Sequence, residues 1–200
     1  MHPSRHHPKT RILSENAEVY YFQNILSPEK ASAFLKFLLE TVPWKNDEFI
    51  MFGKRIVTKR KFAWYSRPDI TYTYSNSTRY PLPWTEELFQ LKRIVENTTE
   101  REYNSCLLNL YPTGEEGMGW HRDNEKDLEK EGSIASLSLG ATRKFSFQSI
   151  ESKEKVTIEL QSGSLLLMES PTQKYWKHAL LKDKKVKDTR INLTFRQMRE

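Results

Sequence analysis

The sequence predicts an α+β fold that is mainly β, a double-sheet sandwich or jelly roll with helices packed on its outside. Three observations carry this. From Ser105 onward the chain breaks into short runs, several of them alternating apolar with polar residues; Gly and Pro separate the runs at strand-length intervals; and apolar residues recur at helical spacing in two segments of the first half.

Residues 1–17 are polar and proline-punctuated and are expected to form a flexible basic arm, its histidines incidental. Ser27-Pro28-Glu29-Lys30 sets an N-cap serine and an N1 proline before a helix over 31–41, with Phe34, Leu35 and Leu38 on one face and Pro43 at its end. Trp84 or Thr85 opens a second helix, in which Leu88, Leu91, Ile94 and Val95 share a face. Between the helices lies a basic and aromatic stretch that includes a strand over 71–74. Six strands follow, over 106–111, 134–139, 144–147, 156–160, 164–168 and 191–195, with turns at Pro112-Thr113-Gly114, Gly140, Gly163 and Pro171. Cys106, Trp120 and Trp176 are expected in the core.

At 200 residues the chain is long enough for one substantial core, and 37% hydrophobic with 29% charged residues is ordinary for a globular protein. No run approaches the roughly 20 apolar residues of a membrane-spanning helix. The N-terminal stretch has no apolar segment of the kind that directs export, and a lone Cys106 cannot close an internal disulfide. Both point to a reducing, intracellular compartment.

Charge suggests a partner. Lys and Arg outnumber Asp and Glu by 32 to 26, giving a net charge of +6, and the sequence pI of about 9.3 is that of a chain that meets polyanions. Lys54, Arg55, Lys59, Arg60 and Lys61 are crowded together and run into Phe62-Ala63-Trp64-Tyr65. Cations beside aromatic rings suit a nucleic-acid groove, phosphates on the first and bases on the second. A solvated strand pair with Trp64 in the core fits the same residues. Lys182, Lys184, Lys185 and Lys187 read as a surface loop.

Chemistry concentrates in His121-Arg122-Asp123, His178 and the closing Arg190-Ile191-Asn192-Leu193-Thr194-Phe195-Arg196. Two imidazoles and a carboxylate are the ligand set of a mononuclear non-haem Fe(II) centre with an open face. In extended backbone His121 and Asp123 project to one side, and His178 is expected from a neighbouring strand. Without their flanks, these three residues also fit ordinary surface or hydrogen-bonded core roles. Arg190, Asn192, Thr194 and Arg196 share strand parity, so all four face one way. A guanidinium among them makes a fork for a carboxylate, and a bound dicarboxylic acid would supply the partner that a buried cation needs.

Taken with their flanks, Asn109-Leu110-Tyr111, His121-Arg122-Asp123-Asn124-Glu125, the strands at 134–140 and 163–168, His178 and the Arg190 to Arg196 string resemble the AlkB family of Fe(II)/2-oxoglutarate-dependent dioxygenases. Phe52-Gly53-Lys54 and residues 71–74 are similar to the branch that repairs alkylated bases in duplex DNA. The resemblance implies a double-stranded β-helix, with a single dioxygenase domain over 18–200, a nucleotide-recognition lid over about 45–80 and a catalytic core over about 104–198. It implies that His121, Asp123 and His178 hold Fe(II), that 2-oxoglutarate and O2 are co-substrates, that Arg190 with Tyr111 and Asn109 takes the distal carboxylate, and that Arg196 with Asn192 and Thr194 takes the other end. No further catalytic side chain is implied.

The implied reaction hydroxylates the methyl group of 1-methyladenine or 3-methylcytosine in DNA, coupled to conversion of 2-oxoglutarate to succinate and CO2, and releases formaldehyde. Substrate contacts fall on Phe52, Gly53 and Lys54 at the lid, and on Tyr65, Asn124 and Glu125 at the extruded base. Arg55, Lys59, Arg60 and Lys61 are expected at phosphates. Two places depart from the duplex-DNA branch: Tyr65 is followed by Ser66-Arg67-Pro68-Asp69 instead of Gly-Asp, and Asn124 stands where an acidic residue is common. The expected partner is alkylated DNA, duplex or single-stranded, met by a monomer with no membrane involvement, in the cytoplasm of a bacterium or the nucleus of a eukaryote. An oxygenase acting on RNA or protein is the alternative that keeps the iron ligands and Arg190; a nonenzymatic nucleic-acid-binding jelly roll would use only the basic stretch.

Overall fold

The computed structural model describes residues 8–51, 54–68, 70, 72–74 and 77–199. In chain order its elements are β1 (Lys9–Leu13), β2 (Glu18–Phe22), α1 (Pro28–Thr41), β3 (Lys45–Met51), β4 (Lys54–Ser66), β5 (Tyr72–Tyr74), β6 (Ser77–Arg79), α2 (Glu86–Thr99), β7 (Ser105–Tyr111), β8 (Met118–His121), β9 (Ile134–Gly140), β10 (Arg143–Ser149), β11 (Lys155–Leu160), β12 (Leu165–Glu169), α3 (Thr172–Tyr175), β13 (Trp176–Leu180) and β14 (Arg190–Arg196). One sheet runs β1-β2-β12-β9-β14-β7-β4-β3, a second runs β11-β10-β13-β8, and β5 pairs with β6. This is the expected mainly β jelly roll.

Strand parity builds the layers. On β14, Ile191, Leu193 and Phe195 join Leu38 of α1 and Leu88, Leu91 and Val95 of α2 in one buried cluster. Arg190, Asn192, Thr194 and Arg196 line a cavity on the opposite face, toward the second sheet. On β12 the split recurs: Leu165 and Leu167 face the helices, while Leu166 and Met168 pack with Phe145, Phe147, Leu160 and Trp176 between the sheets. A one-residue slip would exchange these faces, so the apolar half of each strand fixes where its polar half points.

Both helices start where the sequence places a cap. The Ser27 hydroxyl accepts from the Lys30 N–H at 3.4 Å, with Pro28 in the first turn, and the Thr85 hydroxyl accepts from the Leu88 N–H at 3.3 Å. Each satisfies a donor that the first turn leaves without an intrahelical partner. Cys106 is buried, as expected.

Two regions differ from expectation. Residues 9–13, placed in the flexible arm, form β1 against β2, and Leu13 and Ala17 are buried; backbone pairing does not depend on side-chain polarity, and two apolar anchors suffice to seat this edge. The basic stretch forms β4, a long strand paired with β3 and β7 with Trp64 buried, in keeping with the strand-pair reading of these residues. Short β8 and β13, which carry the histidines, are too brief and too mixed in polarity to show a period-two signal.

Candidate metal centre and substrate cavity

The loop ahead of β8 is tied down by a buried arginine that sequence reasoning missed. Arg143 donates to the carbonyl oxygens of Thr113 at 3.1 Å, Glu116 at 2.7 Å and Leu181 at 2.8 Å. Gly114 is enclosed by the 183–186 loop, where a Cβ would collide with the Asp183 carbonyl oxygen. The carbonyls of Thr113, Gly114 and Glu116, held by one guanidinium that also takes that of Leu181, fix the entry into β8.

His121 ends β8 and sits directly across from His178 on β13. Their rings meet edge to face at 4.3 Å between centroids. Asp123 follows two residues after His121, in the loop beyond the strand, with Oδ1 3.6 Å from Nε2 of His121 and Oδ2 4.0 Å from Nε2 of His178. One ligand atom from each residue lies within 4.8 Å of the others. The sequence-read trio is therefore one cluster. Nδ1 of His121 lies 2.8 Å from the Gly119 carbonyl; an oxygen that can only accept requires the proton on Nδ1, which leaves Nε2 free to ligate. The Asp123 N–H donates to the Gln173 side chain at 3.1 Å, a support no sequence signal marked.

Electrostatics hold Asp123 and His178 in ligand form. Burial works against the Asp123 charge, but Arg196, His178 and His121 outweigh it and bring the carboxyl down to about 2. Arg196 reaches Oδ2 of Asp123 at 2.9 Å. Burial pushes His178 down to about 4, against the opposing pull of Asp123. At neutral pH the centre therefore presents an ionised carboxylate and a neutral His178, as a divalent cation requires.

The trio opens on a cavity of about 370 Å³. Along its floor runs a polar ladder: Arg190 donates to Ser138 Oγ at 2.9 Å and to Asn192 Oδ1 at 2.8 Å, Ser136 donates to the same oxygen at 2.8 Å, and Asn192 donates to Thr194 Oγ1 at 2.7 Å. Arg190 is 2% exposed, and among the described residues no carboxylate pairs with it. Its Nε is buried without a hydrogen-bond partner. Burial lowers its pKa to about 10, still well above neutrality. Tyr111 lies under the guanidinium, 5.5 Å from ring centroid to Cζ. A fixed, unneutralised cation on a polar floor fits a carboxylate ligand.

The expected substrate residues divide. Glu125 lines this cavity, but Asn124 opens instead onto a neighbouring one of about 670 Å³. Tyr65 does not reach the cavity: it is 3% exposed within the cluster beneath the helices. The alternate residues Arg60, Phe62 and Trp64 of β4 line the wall in its place. The phosphate expectation for Arg60 is corrected by the same alternation, its guanidinium donating to the Met118 sulfur. Lys59 stays exposed, near Glu115 at 3.7 Å. Trp64 is anchored by its indole N–H on Ser105 Oγ at 2.7 Å. Phe52 and Gly53 lie outside the described residues, as do the side chains of Lys54 and Arg55. Trp176 is buried as expected, whereas Trp120 is 38% exposed.

Two imidazoles, one carboxylate and a buried arginine on a jelly roll define an oxygenase class, and comparison with known proteins agrees. The chain belongs to the 2OG-Fe(II) oxygenase superfamily, whose family model matches residues 18–196. Its relatives include AlkB homologues. Human "DNA oxidative demethylase ALKBH2" is 39% identical over 156 residues, covering 74% of this chain and 60% of that protein. Human "Alpha-ketoglutarate-dependent dioxygenase alkB homolog 3" is 35% identical over 190 residues, covering 90% and 66%. The chain thus spans about three fifths of the length of the ALKBH2 relative. The solved structure of OsALKBH1 superposes with a TM-score of 0.69 at 17% identity, covering 95% of this chain and all of that one, a likeness of fold. The superfamily implies Fe(II), 2-oxoglutarate and O2, and the donor set fits the metal.

Proposed function

We propose that this chain is a dioxygenase that removes N-linked methyl groups from 1-methyladenine and 3-methylcytosine in DNA. The observation that carries it is the joining, in one cavity, of the His121, Asp123 and His178 cluster, the unneutralised Arg190 and an aromatic wall of Phe62 and Trp64. The names of the ALKBH2 relatives, DNA oxidative demethylases, support the substrate class. Bound Fe(II), 2-oxoglutarate and O2 supply the oxidation of the methyl C–H bond, with succinate and CO2 formed alongside.

Each residue then has a task. His121, Asp123 and His178 would hold the metal. Arg190, with Tyr111 and Asn109, would hold the distal carboxylate of 2-oxoglutarate, and the Asn192, Thr194 and Arg196 side would orient its other end. Phe62 and Trp64 would pack against an extruded base, as flipped bases require, and Glu125 would favour a cationic methylated base over the neutral one. The region over 45–80 would act as the nucleotide-recognition lid of the 104–198 core, Phe52 and Gly53 would contact the nucleotide, and Lys54, Arg55, Lys59 and Lys61 would meet phosphates. Such a substrate sets the protein beside DNA, in a nucleus or a bacterial cytoplasm. The test is demethylation of 1-methyladenine in single-stranded DNA, duplex DNA and RNA. Formaldehyde from either DNA supports the reading, and turnover of RNA alone overturns it.

A further inference from the structure

We propose that the outer face of the four-stranded sheet around Trp120 is a docking surface for the single-stranded DNA that flanks the base in the cavity. Trp120 stacks on a nucleobase, and Lys155 and Lys177 meet neighbouring phosphates. This rests on the DNA reading above.

The parity that buries Phe147 and His178 turns the alternate residues of their strands outward. Lys177 lies across from Gln148, and Gln148 across from Lys155, so three strands bring two lysines into one row. Both ammonium groups converge on the same ring, Lys155 at 5.8 Å and Lys177 at 6.0 Å from the Trp120 centroid. Neither forms an ion pair among the described residues. At the far end of the face the charge is balanced, because Lys144 lies across from Glu159. The uncompensated charge therefore gathers at the tryptophan.

Trp120 keeps 38% of its surface in water with two ammonium groups beside its ring, so the patch offers a ligand both an aromatic face and positive charge. An acidic peptide would answer the lysines but not the ring, whereas a nucleic-acid strand offers a base to the ring and phosphates to the lysines. Position agrees. Trp120 directly precedes His121, and exposed Arg122 stands on the rim of both cavities. A strand with one base in the cavity meets Arg122 and then Trp120 as it leaves.

The test uses the full chain with Mn(II) and 2-oxoglutarate, and the fluorescence anisotropy of a labelled single strand of about a dozen nucleotides carrying 1-methyladenine. Trp120→Ala should weaken binding about 5- to 100-fold, the worth of one stacked base, and Trp120→Phe should restore most of it. Lys155→Ala and Lys177→Ala should each lower the slope of log affinity against log salt by about 0.7. Demethylation of the mononucleotide 1-methyl-dATP by the iron enzyme should be unchanged in all of them. If the wild type binds no DNA, the DNA reading falls and this surface with it. If the wild type binds and Trp120→Ala binds equally, the surface alone is refuted. Loss of mononucleotide turnover in Trp120→Ala would mean that the ring merely supports His121, and would overturn the proposal.

Discussion

The Arg196 guanidinium stands 2.9 Å from Oδ2 of Asp123, at the meeting point of the arginine strand and the metal trio. Arg196 occupies one carboxylate oxygen, while the other faces His121. One ion pair thus joins the two functional halves of the site.

Removing that guanidinium leaves a buried carboxylate whose charge is opposed by burial and deprived of its principal cationic partner. Arg196→Leu should cost the metal-free protein about 3–5 kcal/mol, the usual penalty for breaking a buried pair from one side. Mn(II) should recover part of it by restoring positive charge at Asp123. Urea unfolding with and without Mn(II) checks both statements; an unaltered midpoint would show that the pair is not stabilising.

Acid should weaken the metal-free fold through His178. Its pKa is about 4 in the folded protein and 6.5 in a model peptide, so between those values the unfolded chain takes up a proton that the folded chain refuses. Stability is whole above pH 6.5 and declines as pH falls toward 4, by on the order of 3 kcal/mol. Asp123, with its folded pKa near 2, stays ionised through this window and loses its own contribution only below it. Unfolding of the metal-free protein at a series of pH values should show the decline, and His178→Gln should flatten it.

Arg190 gives opposite signs in two measurements. As a buried cation without a carboxylate partner it does not stabilise the empty fold, so Arg190→Met should leave metal-free stability unchanged or higher. The same change should cost about 2–5 kcal/mol of 2-oxoglutarate affinity. Calorimetric titration of 2-oxoglutarate into the Mn(II) protein, beside thermal unfolding, separates the two effects. A drop in stability with affinity intact would reverse the assignment.

Adjacent residues of β4 should behave differently. Trp64→Ala opens the cavity wall and should raise the KM for methylated DNA. Tyr65→Ala removes a ring from the core and should cost about 3–5 kcal/mol of stability. KM and urea midpoints for both variants test the strand's parity, and a KM effect confined to Tyr65 would contradict it.

Much of this was legible in the sequence because it rests on spacing. Ser27 and Thr85 announce their helices, and the alternation from Arg190 to Arg196 announces a polar face that the structure turns to the cavity. The histidine cluster was readable as residue types, although strands β8 and β13 were not. What stayed hidden depends on register. Tyr65 and Trp64 are equally aromatic in sequence, and only pairing of β4 with β7 decides which faces inward. Arg143 looked like any strand-end cation, since its partners are backbone carbonyls of a distant loop. Gln173 carried no signal and Trp120 was expected in the core for the same reason: their surroundings come from what lies across the sheet or loop from them.

The most direct test of the whole account incubates the wild type and His178→Ala with Fe(II), 2-oxoglutarate, O2 and single-stranded DNA bearing 1-methyladenine, measuring succinate and formaldehyde together. Both products are expected from the wild type, in matching amounts while the methylated base lasts, and neither above background from His178→Ala. Full turnover by the variant, or succinate without formaldehyde from the wild type, would contradict it.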